Sequence, residues 1–340
     1  MNWTLTDLPI IQGPMAGGFT TAELISEVSE CGGLGSIGAG YMSPEALRSL
    51  IRAVKARTQK PFSVNLFIPH PVQVETAQVE KMKEWLAPYY KELGMSEVPG
   101  LKFDPQLFEK QWDVVLQEKV PAFSFTFGHL NPQQMQALKS QGVYIMGTAT
   151  TLAEALVLQE QGCDAVVAQG AEAGGHRGSF LGDTFQFIPT EELVRTLAGN
   201  LKIPVIAAGG IFNRQGLERV TAVGAAAVQI GTAFLVCDES GASCEYKQAL
   251  LAATPQQSEM IKVFTGRWAR GLTNRFTAEM KKHEEEIPAY PIQHWLTTPL
   301  RKRAQELGQT DFQSLWAGQG LGSLQPCSAR EFMKKLATPL

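Results

Sequence analysis

Between Gln169 and Gly178 the chain reads Gln-Gly-Ala-Glu-Ala-Gly-Gly-His-Arg-Gly, placing four glycines within nine residues and one histidine, His176, near the far end. Glycine lets a backbone approach a ligand with no side chain in the way, and histidine exchanges a proton near neutral pH. The stretch follows the apolar run Ala165-Val166-Val167-Ala168, which reads as a buried strand. Ligand binding combined with proton chemistry is one reading of such a loop. A solvated surface loop is the other, and the stretch alone does not choose between them.

The elements around it do. Short apolar runs recur at Pro9–Gln12, Leu34–Ile37, Phe62–Leu66, Ala122–Thr126, Tyr144–Thr148, Ala165–Gln169, Pro204–Ala208 and Ala227–Ile230. They are continuous rather than alternating, as expected of strands buried on both faces. Most are separated by one helical pattern with its own start signal. These signals are Thr20 with Glu23, Ser43 before Pro44, Asn131 before Pro132, Thr151 with Glu154, then Thr190 and Asn213. Eight strand–helix units fit an α/β fold of the TIM (β/α)8 type better than an open sheet. The rhythm breaks between about 69 and 120, where two helical patterns (Val72–Leu93 and Pro105–Gln117) form an insertion after strand 3. Such insertions are often lids or substrate-shaping elements. The expected organisation is a barrel over 1–240. A C-terminal helical segment over 241–340 then packs on the barrel and contributes to the active site, with Trp295, Leu296, Leu300 and Ala304 as one apolar stripe.

In a TIM barrel the active rim lies at the C-terminal ends of the strands. There this chain carries Gly13 to Gly18 after strand 1, Asn65 at the end of strand 3 and Gly128-His129 after strand 4. Gln169 and the His176 loop follow strand 6, Gly209-Gly210 strand 7, and Gly231-Thr232 strand 8. The last two loops suit a phosphate held by backbone N–H groups, with the Thr232 hydroxyl adding a donor. Asn65 and Gln169 offer donor and acceptor together, which suits the edge of a planar heteroaromatic ring. Phosphate cradle, amides and close-approach glycines together point to flavin mononucleotide (FMN). No carboxylate cluster or histidine pair suggests a metal. Of the histidines, His176 is the base candidate, His70 reads as structural, and His129 as structural or lining. His283 and His294, in the tail, read as satisfied or solvated. Gly33-Leu34-Gly35-Ser36-Ile37-Gly38 matches G-x-G-x-x-G, but a helix precedes it and the glycines fall within a strand. It therefore reads as close packing, not dinucleotide binding.

The bulk numbers agree with a small-molecule enzyme. With 340 residues, 44% hydrophobic, the chain can bury a large core. A net charge of −3 leaves no electrostatic footprint for nucleic acid or an anionic membrane. The five cysteines are scattered without a C-x-x-C pair, so neither a disulfide framework nor a zinc site is expected. The start of the chain lacks signal-peptide features and no apolar run approaches a membrane span. The expectation is a cytoplasmic monomer or homodimer.

Several segments together resemble nitronate monooxygenases. They are Pro9–Gly18, Val64–Phe67, Ala168–His176, Pro204–Ile211, Val228–Thr232, Phe264–Arg267 with Arg270-Gly271 and Asn274–Phe276, and Leu315–Gly320. The resemblance implies an FMN-dependent TIM barrel that oxidises nitronates with O2 and without a metal, His176 being the base or the substrate-facing histidine. It also implies FMN contacts from Met15, Ala16, Asn65, Gln169, Gly174, Gly175, Gly209, Gly210, Gln229, Ile230, Gly231 and Thr232. Substrate-facing aromatic residues are implied in the tail, where Tyr290 is the late tyrosine; His129, Tyr290 and Trp316 complete the substrate-side candidates. The His176 loop also resembles that of flavin-dependent enoyl-acyl-carrier-protein reductases and some NADH:quinone reductases, so an NAD(P)H reductase is the alternative. A flavin-binding barrel without catalysis is a third reading, against which the intact His176 and cradle glycines weigh.

Overall fold

The computed structural model describes residues 2–101, 103–182 and 186–338. Eight parallel strands alternate with helices: β1 (Ile10–Gln12), β2 (Gly35–Gly38), β3 (Phe62–Phe67), β4 (Ala122–Thr126), β5 (Tyr144–Ala149), β6 (Ala165–Gln169), β8 (Val205–Ala208) and β9 (Ala227–Ile230). A two-residue strand, β7 (Gly175–His176), lies outside this sheet. The sheet order is β1-β9-β8-β6-β5-β4-β3-β2. Backbone bonds from Gln12 N to Leu34 O and from Leu34 N to Ile10 O, both 2.9 Å, close the circle between β1 and β2. The fold is a TIM barrel.

Strand side chains alternate between two cores, as the two-residue period of a strand requires. Ile11, Met146, Val167 and Ile206 fill the barrel interior. Ile10, Val166, Ala207 and Val228 face the outer layer, where they meet helix residues such as Leu24, Leu158 and Leu217. Full burial of one such aliphatic side chain stabilises by roughly 1.5–3 kcal/mol. The G-x-G-x-x-G glycines serve this packing. A Cβ on Gly35 would stand 2.2 Å from Ile25 O of the first helix, and one on Gly38 would stand 2.4 Å from the Met15 carbonyl carbon.

Helix starts differ from the sequence reading in three places. The first helix (Ala22–Glu30) is capped by Thr21, whose hydroxyl accepts from Leu24 N, while Thr20 Oγ1 accepts from Gly38 N. Thr151 caps Leu152–Glu160, yet Glu154 does not return the bond and reaches elsewhere. Thr190 is the first residue of Thr190–Asn200, preceded by Pro189 as cap. The insertion carries the helices Thr76–Glu92 and Leu107–Gln117.

The chain beyond 240 is not helical throughout. Strands β10 (Ser258–Ile261) and β11 (Ala269–Leu272) form an antiparallel pair, and β11 pairs in turn with β7. The helix Ile292–Glu306 shares an apolar cluster with Thr76–Glu92, joining insertion to tail. Ala329–Ala337 packs through Phe332 and Met333 into the outer barrel core.

Candidate functional site

The glycine loop is a fixed edge strand. His176 and Gly175 sit opposite Ala269 and Arg270 of β11, across an antiparallel register. The Gln169 amide is engaged at both ends, donating to His176 O at 2.9 Å and accepting from Gly178 N at 2.7 Å. Arg177 donates to the carbonyls of Gln169, Gly170 and Gln186 at 2.7–2.9 Å. Glu154, fully buried, accepts from Phe180 N at 2.6 Å and Leu181 N at 3.1 Å as well as from Thr150. The side chain that a capping box would keep local therefore ties down the loop beyond His176.

The strand ends and this edge strand enclose a cleft with about 1290 Å³ of empty space, part of it open to solvent. The structure brings Met15, Ala16, Asn65, Gln169, Gly174, Gly175, His176, Gly209, Gly210, Gln229, Gly231, Thr232 and Trp316 to its wall. Two candidates lie elsewhere. Ile230 points into the outer core. His129 is exposed and bonded to Gln161 at 2.8 Å. Tyr290 is not among the wall residues but packs against their aromatic part, its ring 5.7 Å from that of His176 and 5.6 Å from that of Phe127.

One half of the cleft is built of backbone and neutral polar groups. Gly209 and Gly210 take positive φ of 131° and 68°, a turn that favours glycine. Thr232 opens the short helix Thr232–Leu235. Its hydroxyl accepts from Gly318 N at 2.9 Å, which leaves the O–H proton to donate. Glu172 lies against Gly210, but its carboxylate is held by Thr190 N and Oγ1 at 2.9 and 2.5 Å. Asn65 donates to Ser124 Oγ at 2.9 Å and retains its carbonyl oxygen and one N–H. This donor set, with no carboxylate on the wall, fits a phosphate at the Gly210 and Thr232 end. The amides of Asn65 and Gln229 fit a polar ring edge.

The other half is aromatic and centred on His176. The rings of Phe67, Phe127 and Trp316 lie 6.5, 5.8 and 5.4 Å from the imidazole. Phe127 holds φ 77°, a conformation that costs a non-glycine residue on the order of 1–3 kcal/mol and recurs at functional sites. His70 Nε2 donates to the Phe127 carbonyl and helps to hold it there.

The His176 tautomer follows from its partner. Thr265 Oγ1 gives its proton to Arg267 O at 3.0 Å, so at 2.9 Å it accepts from His176 Nε2–H. The Nδ1 lone pair is left for the cleft. Burial, reinforced by the cations Arg267 and Arg301, pushes the imidazole pKa down to about 3. His176 is therefore neutral across the physiological range.

Tyr41, Phe127 and Arg301 play no part in the sequence reading of the site, while Phe67, Thr265 and Arg267 entered it only within the segments that carry the resemblance. The Arg267 guanidinium lies 4.1 Å from the Phe127 ring centroid. His294, read from the sequence as satisfied or solvated in the tail, is buried and stacks on Tyr41 at 4.0 Å. Its place on Ile292–Glu306 is one helical turn from Thr297 and Thr298, but nothing local shows that this face closes the barrel mouth. Among the described residues, no three His, Cys, Asp or Glu side chains converge as a metal site needs, and no helix is long and apolar enough to cross a membrane.

Residues 2–338 match the family model for nitronate monooxygenase. A probable nitronate monooxygenase of Staphylococcus saprophyticus is 42% identical over 324 residues, covering 94% of this chain and 91% of that one. Among solved structures, nitroalkane oxidase from Streptomyces ansochromogenes superposes with a TM-score of 0.90 at 37% identity, over 98% of this chain and 95% of that one. FabK from Thermotoga maritima is more distant, with a TM-score of 0.76 at 29% identity over 97% and 92% of the two chains.

Proposed function

The chain belongs to the nitronate monooxygenase family and is an oxidoreductase; from that premise and the geometry of the cleft, we propose that it oxidises alkyl nitronates with O2, using FMN, to carbonyl compounds and nitrite. The observation that carries this reading is the pairing, in one cleft, of a phosphate- and ring-edge-binding half with an aromatic half around a neutral histidine. FMN would be held by the Gly209-Gly210 and Gly231-Thr232 loops at its phosphate. Asn65, Gln229 and the Met15-Ala16 backbone would hold its ring, beside Gly174, whose lack of a side chain lets the Ala317-Gly318 backbone close against the same wall. When bound, it supplies the electron acceptor that lets a nitronate react with dioxygen.

The chain's own residues orient the substrate and manage its charge. Phe67, Phe127 and Trp316 form an apolar wall for the alkyl part. His176 faces the nitro group with its Nδ1 edge, held in one tautomer by Thr265. Arg267 and Arg301 favour an anion there and oppose a proton on His176. A nitronate arrives already ionised and needs no base. A neutral nitroalkane must first give its α-proton to His176, against the two cations, so nitronates are the better substrates. General-base help is typically worth about 10²–10⁴-fold and is largest when the base's pKa lies near the operating pH, so an imidazole held near 3 supplies less of it. In His176→Asn the enzyme should retain FMN and part of its turnover of pre-formed nitronate, while turnover of the neutral nitroalkane is lost. Full nitroalkane activity in that variant removes the base assignment.

A further inference from the structure

Among the described residues, two that are not glycine hold a positive φ: Lys119 at 46° and Phe127 at 77°. Lys119 sits in the turn that leads into β4. Phe127 directly follows β4 and is fully buried at the aromatic end of the cleft. Its ring is packed between two residues of the wall and two outside it. On the wall, the rings of Phe67 and His176 lie 4.7 and 5.8 Å away. Outside it, the Tyr290 ring lies at 5.6 Å and the Arg267 guanidinium at 4.1 Å. Phe127 therefore fills the space through which the cleft would otherwise extend towards Arg267 and Tyr290.

A strained conformation persists only where its surroundings hold it. The β3–β4 ladder ends at the pair Phe67 and Thr126, so the buried Phe127 carbonyl must find its donor outside the sheet. His70 supplies it, donating from Nε2–H. Two neighbouring contacts fix the same join. Ile68 N donates to Thr126 O at 2.9 Å, and a Cβ on Gly128 would stand 2.9 Å from Ile68 Cγ2. Phe67 is pinned as well, since a Cβ on Gly40 would stand 2.3 Å from its ring. His70 lies just past the end of β3, where the helical insertion begins. The insertion thus enters the fold at the residue that closes the aromatic half of the cleft.

We propose that Phe127 is a plug that sets how long an alkyl chain the cleft accepts, and that His70 is the positioning residue that keeps the plug in place. The substrates favoured are short, unbranched alkyl compounds whose chain ends against the Phe127 ring. Longer chains gain nothing until that ring moves. His70 touches neither substrate nor cofactor and acts only through the Phe127 carbonyl. The proposal rests on the functional reading only in taking the aromatic half as the end that receives the alkyl chain.

The test is calorimetric titration of the FMN-loaded protein with primary alkyl amides of increasing chain length, from acetamide to octanamide. These are neutral, planar at the head group and unreactive with flavin. In the unaltered protein, affinity should rise about fourfold per methylene, the size expected for one buried CH₂, and then stop rising at a definite length. In His70→Ala the rise should continue for about two further methylenes, so that the longest amides bind on the order of tenfold tighter relative to acetamide. Phe127→Leu, which keeps an apolar side chain but shortens the plug, should extend the series in the same way. His70→Gln, whose amide N–H can replace Nε2–H, should restore the original break, and FMN content should be the same in all four proteins. An unchanged break in both His70→Ala and Phe127→Leu overturns the proposal. So does a shift that His70→Gln fails to reverse, which would make the role of His70 merely structural. The absence of saturable amide binding, or of any break, in the unaltered protein overturns it without a variant. Because no turnover is involved, failure of nitronate oxidation with the amide series intact would strike the functional reading alone.

Discussion

The neutrality of His176 has a thermodynamic consequence that does not depend on the substrate. Its imidazole is pushed from an ordinary value near 6.5 down to about 3 by burial and by Arg267 and Arg301. A depressed histidine pKa means the unfolded chain binds a proton that the folded chain refuses. Stability therefore falls as pH drops below about 6.5, and the fall levels off only near 3. Between pH 7 and pH 5 the unfolded state gains most of that proton, over about 1.5 pH units below its own pKa. At about 1.36 kcal/mol per unit, His176 alone accounts for about 2 kcal/mol of lost stability. His176→Asn keeps a polar side chain and removes the titration. Urea unfolding of the two proteins at both pH values, with the same excess of FMN, isolates the difference. The buried His294, also held well below its usual value by burial and by Arg301, contributes equally to both proteins and cancels. The account predicts that the variant loses about 2 kcal/mol less than the unaltered protein on going from pH 7 to pH 5. An equal loss in both would show that the folded protein protonates His176 freely, and the electrostatic description of the site would fall.

Two further substitutions probe how the site is held. Thr265→Val removes the acceptor of the His176 Nε2–H and leaves a buried donor unpaired, at a cost of about 1–3 kcal/mol. Nitronate turnover should fall roughly tenfold at unchanged FMN content, and unchanged steady-state turnover would show that the fixed tautomer is immaterial. Gly35→Ala drives a Cβ to 2.2 Å from Ile25 O. It should lower stability by about 1–3 kcal/mol or more, read as a drop in melting temperature, whereas Gly100→Ala, with open space around it, should change little.

The barrel was legible because its strands are buried on both faces and most of its helices start with local signals. Ser43-Pro44 and Asn131-Pro132 act within a few residues of themselves and fold as read. Where a side chain has a distant use, the local signal misleads. Glu154 has capping-box spacing with Thr151, but its carboxylate is worth more against Phe180 and Leu181, whose N–H groups lack other partners. Thr20 and Thr21 are adjacent and chemically alike, and the choice between them is made by Gly38 N on another element. The tail strands β10 and β11 have no alternating pattern, and β11 takes one partner from the glycine loop some ninety residues earlier, a pairing that no local propensity encodes. In the site, glycines and amides at strand ends announce themselves through the fold. Arg301 and His294 look like ordinary tail residues, Arg267 stands out only as part of a resembling segment, and only the docking of Ile292–Glu306 and the Phe264–Leu272 segment gives them a target.

The central claim is that this cleft loads FMN and uses it to oxidise nitronates with O2. It is tested most directly by purifying the protein, recording its visible spectrum, and following oxygen uptake and nitrite release on adding an alkyl nitronate. Parallel samples receive NADH or NADPH. The account predicts a flavin spectrum, oxygen uptake matched to nitrite release, and no comparable response to nicotinamide. A protein that takes up no FMN would contradict it. So would flavin reduction by NADH or NADPH with no oxygen uptake on nitronate, which would assign the cleft to a reductase.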